Sequence, residues 1–220
     1  MSVDPSNRQK TQQICSVLLR YPEAELYDLL PLVSDQLRSL PPEVAVDLQA
    51  FLGHVSTTDL MELQRHYVEM FDMRRKCSPY LTYWTHGDTR NRGMALLHFK
   101  QAYHRAGLTI DERELPDHLA VVLEFAAAGD LDLGNALLSE HRRVIGLLHQ
   151  ALEASRSPYA YVLAAVAATT TELTPEDEML MRELALSGPP TEMVGMAGPV
   201  DLTLTPFATS GSDAAMGARR

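Results

Sequence analysis

Apolar residues recur at helical spacing along most of the chain. Ile14, Val17, Leu18 and Tyr21 form one stripe, closed by Pro22, and Leu26, Leu29, Leu30, Val33 and Leu37 form a second that stops near Pro41 and Pro42. Pro31 falls inside the second stripe. A kink or a break into two short helices is expected there, because proline has no N–H and its ring crowds the carbonyl four residues back. Val44, Leu48, Phe51 and Leu52 predict a third helix. Thr57 or Thr58 is placed to cap a fourth, which runs through Leu60, Leu63, Tyr67 and Met70 toward Phe71.

After a central loop, Ala95, Phe99, Ala102, Tyr103 and Ala106 fall on one helical face, with Asp88 or Thr89 where its N-cap belongs. Pro116 stands where a first-turn proline is tolerated, opening a helix that ends at Gly129. One long helix is then expected through Leu137, Leu138, Val144, Leu147, Leu148 and Leu152. A further helix runs from Tyr159 to Thr171, and Thr174-Pro175-Glu176 opens a last one containing Met179, Leu180 and Leu184. No alternating strand pattern bounded by hairpin turns appears up to residue 188, so the expected fold is all-α. The reading is a single-domain bundle of about eight to ten helices over residues 1–188. From Gly188 the composition shifts to Gly, Pro, Thr, Ser, Ala and Met, and 189–220 is expected to be a disordered tail.

Composition narrows the possible partners. Hydrophobic residues make up 45% of the chain, an ordinary globular share, and the formal net charge is −10. That balance argues against nucleic acid, which demands a basic stripe to displace counterions, and suits a basic peptide. Cys15 and Cys77 are far apart in sequence and lack neighbouring ligands, so they read as small apolar residues rather than a disulfide or zinc site. The N-terminus has no signal-like apolar segment. The apolar run from Tyr161 to Ala168 is far short of the ~20 residues that cross a bilayer. A cytoplasmic protein without direct membrane insertion is expected.

Chemistry-bearing residues concentrate between Tyr80 and Arg92, where Tyr80, Tyr83, Trp84, His86, Asp88, Arg90 and Arg92 occur together. The rings can be core packing, or can form a recognition groove with polar handles at its rim. A second compact stretch holds Asp117, His118 and Glu124. Asp117 is expected in a helix first turn, where its charge meets the positive helix end. Glu124 sits among Val121, Val122, Leu123 and Phe125. It is either on a narrow polar stripe or partly buried and paired with an arginine, for which Arg90 and Arg92 are the candidates.

Catalytic signatures are missing from the sequence: it has no nucleophile elbow, phosphate loop or dinucleotide fingerprint. A metal-dependent all-helical hydrolase is the alternative suggested by the histidines. Asp117-His118 reverses the His-Asp order such enzymes use, and His98 and His104 point to different faces of their helix. His141 and His149 would stand about 12 Å apart along an axis rising 1.5 Å per residue. No metal site, cofactor or catalytic residue is therefore expected.

Three motifs in order carry a family resemblance: Tyr67-x-x-x-Phe71-Asp72, then Tyr80-Leu-Thr-Tyr-Trp-Thr-His-Gly-Asp-Thr-Arg-x-Arg-Gly93, then Glu114-Leu-Pro-Asp-His-Leu-x-x-x-Leu-Glu-Phe125. Over roughly residues 10 to 185 the chain resembles the NarJ-type molybdenum cofactor assembly chaperones of respiratory nitrate reductase, a branch of the TorD/DmsD group. Met73 to Pro79, just before the second motif, departs from the expected pattern. The resemblance implies an all-helical cytoplasmic chaperone, monomeric or weakly dimeric. It would bind the apo catalytic subunit of nitrate reductase through that subunit's N-terminal peptide and keep it competent for cofactor insertion. Tyr67, Tyr80, Tyr83, Trp84, His86, Asp88, Arg90, Arg92, Asp117, His118 and Glu124 are the candidate peptide-binding residues, in a groove between the helix after Asp88 and the helix after Pro116.

Overall fold

The computed structural model describes residues 4–87, 89–111 and 114–190. Among them the chain forms α-helices and no β-strand, so the all-α expectation holds. The elements are α1 (Pro5–Leu18), α2 (Glu25–Leu37), α3 (Pro42–Thr57), α4 (Leu60–Tyr67), α5 (Tyr83–His86), α6 (Arg90–Arg105), α7 (Leu119–Glu124), α8 (Leu131–Glu140), α9 (Arg142–Ala154), α10 (Tyr159–Thr169) and α11 (Pro175–Ser187). A π-helical turn extends α4 over Val68–Asp72 and another extends α7 over Phe125–Gly129.

The core is arranged around α10. Its sequence is apolar on nearly every side, and a helix of that kind must be surrounded. It packs against α1, α3 and α9, burying Tyr159, Val162, Leu163, Ala165 and Val166. Each large aliphatic side chain so removed from water contributes about 1.5–3 kcal/mol. Helix α1 crosses α10 on one side and α7 with its π-turn on the other. Of its buried polar residues, Thr11 and Ser16 are bonded locally, Thr11 Oγ1 donating to the Asn7 carbonyl at 2.8 Å and Ser16 Oγ to that of Gln13 at 2.8 Å, while Gln12 Nε2 donates to Asn135 Oδ1 of α8 at 2.7 Å. Cys15 and Cys77 are free and buried, as small apolar residues would be.

Several boundaries differ from the sequence expectation. Helix α2 continues through Pro31 without a break, because Pro31 is exposed while Val33 and Leu37, further along, bury into the core. The cap of α4 is Asp59, whose Oδ1 accepts from Glu62 N at 3.0 Å. Thr57 and Thr58 instead donate to the Gly53 and His54 carbonyls, at 3.0 and 2.7 Å, and close the end of α3. The expected long helix divides at His141 into α8 and α9. Arg142 there donates to the Ser139 carbonyl at 3.0 Å and reaches Asp177 Oδ2 at 2.9 Å, tying the break to the start of α11. Thr174 and Asp177 open α11 with a reciprocal capping box. Tyr21 leaves the core face and is 46% exposed. The expected disorder of the tail concerns residues almost all of which, 191–220, lie outside the described residues.

Candidate functional site

The second and third motifs, separated by α6 in sequence, are joined edge to edge in the structure. Leu81 N donates to the Asp117 carbonyl at 2.9 Å and Leu119 N to that of Pro79 at 2.9 Å, an isolated antiparallel bridge centred on Tyr80 and His118. Asp117 is fully buried before α7 begins, so it does not occupy the expected first turn. Its Oδ2 accepts from Thr82 Oγ1 at 2.5 Å and from Thr82 N at 3.2 Å, and Arg92 Nη2 lies 3.4 Å away. Tyr103 of α6 donates its hydroxyl proton to the Pro116 carbonyl at 2.6 Å. The cap of α7 is His118, whose Nδ1 accepts from Ala120 N at 3.2 Å. Pro116 lies outside that helix, where it shapes the approach rather than the first turn.

This knot divides the candidate residues. Trp84 is 2% exposed and Tyr83 is buried, so both rings pack as core, one of the two readings open for them. Four-residue helix α5 turns both rings inward, and Arg75 Nε donates to Tyr83 Oη at 2.7 Å. Arg92 stacks its guanidinium 5.3 Å from the Tyr80 ring centre and 5.7 Å from that of Tyr83. His86 is bound up with its own turn, its Nδ1 2.7 Å from Thr85 Oγ1. Arg90 is exposed at the start of α6. Asp88, one of the two expected caps of that helix, lies outside the described residues. Thr89 is the cap position, but its hydroxyl donates to the His86 carbonyl at 2.7 Å instead.

Tyr67, Tyr80 and His118 do come together, in a cleft of about 560 Å³. Its other walls are Arg20, Tyr21, Glu23, Glu114, Leu115, Ala120 and Val121. Tyr21 meets Tyr67 edge-on at 5.5 Å between ring centres, and Tyr80 meets His118 edge-on at 5.2 Å. Burial raises the Tyr67 and Tyr80 hydroxyl pKa values, so both stay neutral, and that of Tyr67 donates to the Leu19 carbonyl at 3.2 Å. Burial also drives His118 down to about 4, against the upward pull of Asp117. The carboxylates of Glu23 and Glu114 have no ion-pair partner among the described residues, leaving the rim acidic.

A second recess of about 350 Å³ opens between the end of α6 and α7, lined by Tyr103, Leu108, Ile110, Val121, Glu124 and Phe125 among others. Glu124 is half-exposed there and pairs with Arg20, not with Arg90 or Arg92. The reason is tertiary: α1 packs along α7 and delivers Arg20 to that carboxylate, while Arg92 is held at Asp117. Arg20, Tyr21 and Glu23 were missed as site residues because they flank Pro22 in the turn after α1. That turn carries no signal except that a helix ends there. Among the described residues no group of three or more His, Cys, Asp or Glu side chains could hold a metal ion.

Residues 37–165 match the family model described as nitrate reductase delta subunit. The nitrate reductase-like protein NarX of Mycobacterium tuberculosis (strain CDC 1551 / Oshkosh) is 40% identical over 157 residues, covering 71% of this chain. The chain spans about a quarter of that relative's length (24%). The probable nitrate reductase molybdenum cofactor assembly chaperone NarJ of Bacillus subtilis (strain 168) is 32% identical over 162 residues, covering 73% of this chain and 88% of its own. The NarJ chaperone of Escherichia coli (strain K12) is 34% identical over 150 residues, 67% of this chain and 64% of its own.

Proposed function

Because this chain belongs to the nitrate reductase delta subunit family, we propose that it is a non-catalytic assembly chaperone for respiratory nitrate reductase. In this reading it binds the apo catalytic subunit, including its N-terminal segment. It keeps that subunit competent for molybdenum cofactor insertion and membrane assembly, and is absent from the finished enzyme. The cofactor is cargo of the client, and no residue here is assigned to it. The protein would act in the cytoplasm as a monomer or weak homodimer. No helix among the described residues is long and apolar enough to cross a membrane.

The observation that carries the reading is the cleft itself: aromatic walls from Tyr21, Tyr67 and Tyr80, with the carboxylates of Glu23 and Glu114, unpaired among the described residues, at the rim. An amphipathic client segment would lay its apolar face on those rings while its basic residues meet Glu23 and Glu114, the helix-in-groove mode. Such anchors support micromolar to nanomolar affinity, about −8 to −12 kcal/mol. While held, the segment is unavailable for docking to the membrane subunit, which orders cofactor insertion before assembly. Titration calorimetry with a synthetic peptide of the catalytic subunit's N-terminus, paired with retention of the full apo subunit on immobilised chaperone, tests this. Heat and retention are expected; neither signal in both assays removes the reading.

A further inference from the structure

An ion pair forms the seam between the cleft and the recess beside it. Val121 and Glu114 line both hollows, whereas Arg20 belongs to the cleft and Glu124 to the recess. Arg20 Nη2 donates to Glu124 Oε2 at 2.5 Å across that seam. Behind the pair, Tyr103, Leu108, Ile110 and Phe125 wall a space with room for a large apolar side chain.

We propose that the Arg20–Glu124 pair is an exchangeable latch. A lysine or arginine of the client takes the place of Arg20 on Glu124, and the apolar client side chain beside that cation enters the recess. The inference rests on the client-binding reading and gives it a chemical requirement, a cation adjacent to a large apolar residue. Three observations support it. The two side chains are 50% and 45% exposed, so water screens the pair and it holds weakly against a competitor. Arg20 stands in the turn after α1, so its guanidinium can swing into solvent or toward Glu23 without moving a helix. Glu114, shared by both hollows and free of ion pairs among the described residues, gives the incoming cation a second carboxylate. The exchange trades one cation for another on Glu124, so no buried charge is left uncompensated.

The test uses the full chain and the same N-terminal client peptide, with circular dichroism confirming that each variant is folded. Glu124→Gln removes the receiving charge at constant shape and is expected to weaken binding about tenfold and flatten its salt dependence. Arg20→Ala removes the competitor and is expected to bind at least as tightly as the parent. Ala128→Trp, at the exposed mouth of the recess, is expected to weaken binding while leaving the ion pair intact. Replacing the client's basic residues by alanine should make Glu124→Gln silent. Tighter dependence on Arg20 than on Glu124 would identify the pair as a fixed strut and overturn the latch, as would parental affinity in both variants. A parent protein that binds neither peptide nor subunit would instead remove the client reading, and the latch with it.

Discussion

Thr82 gives both its backbone N–H and its hydroxyl to the same carboxylate oxygen of Asp117, thirty-five positions later in the chain. Asp117 is fully buried and, among the described residues, its Oδ1 has no hydrogen-bond partner, so Thr82 and Arg92 meet the charge at Oδ2. Through that carboxylate the entry loop of α6 and the entry of α7 behave as one structural unit.

Removing the carboxylate takes the acceptor from two Thr82 donors and removes one contact of Arg92, which also donates from Nε to Thr82 Oγ1 at 3.1 Å. Asp117→Ala is expected to cost about 3 kcal/mol, within the range for breaking a buried pair by deleting one partner. Urea unfolding reads this as a lower midpoint at unchanged slope. Thr82→Val, which keeps the backbone donor, should cost about 1 kcal/mol.

Trp84 and Tyr80 should behave in opposite ways. Trp84 is sealed in the core, so Trp84→Ala is expected to lose about 3–5 kcal/mol of stability, with any binding defect following the unfolded fraction. Tyr80 is half-buried on the cleft wall, so Tyr80→Ala is expected to weaken client binding by more than about 1 kcal/mol while most stability remains. Unfolding curves and calorimetry on the same two variants separate the roles.

His118 makes stability depend on pH. Burial holds its folded pKa at about 4, while the unfolded chain protonates near the ordinary 6.5. Between those values the unfolded state carries the extra proton, so stability is full above about 6.5, falls as pH drops, and has lost up to about 3 kcal/mol near pH 4. Protonating Nδ1 also removes the acceptor that caps Ala120 N. His118→Asn, a good cap without a titrating group, should remove most of this pH dependence between 7.5 and 5 as measured by denaturant unfolding.

Gly87 has φ +56°, and a Cβ there would fall 1.8 Å from the Pro190 carbonyl oxygen. Gly87→Ala therefore has to displace the 188–190 segment as well as strain its own backbone. A loss of about 1–3 kcal/mol is expected, with faster amide exchange over α5.

Most of the helix inventory was legible in one dimension because each stripe faces a single core. The apolar face Phe99, Ala102, Tyr103 and the Thr174-Pro175 start were both readable, since period and cap chemistry are local. Division of one helix at His141 was not readable. The apolar positions on its two sides keep helical spacing, and the break is anchored by Arg142 reaching an aspartate thirty-five positions away. Ring burial was equally illegible: Tyr80 and Trp84 are four residues apart in an aromatic-rich loop, and only packing sends one to a cleft and the other to the core.

The sequence by itself determined the helical class, the acidic balance and the motifs that set the family, because periodicity, charge and order of residues are properties of the chain alone. Tertiary structure decided that Glu124 faces Arg20, that Asp117 supports a turn instead of a helix end, and that Tyr21 joins Tyr67 and Tyr80 around a cleft. Those are relations between segments up to about a hundred residues apart, fixed only when helices of several stripes compete to bury against one another.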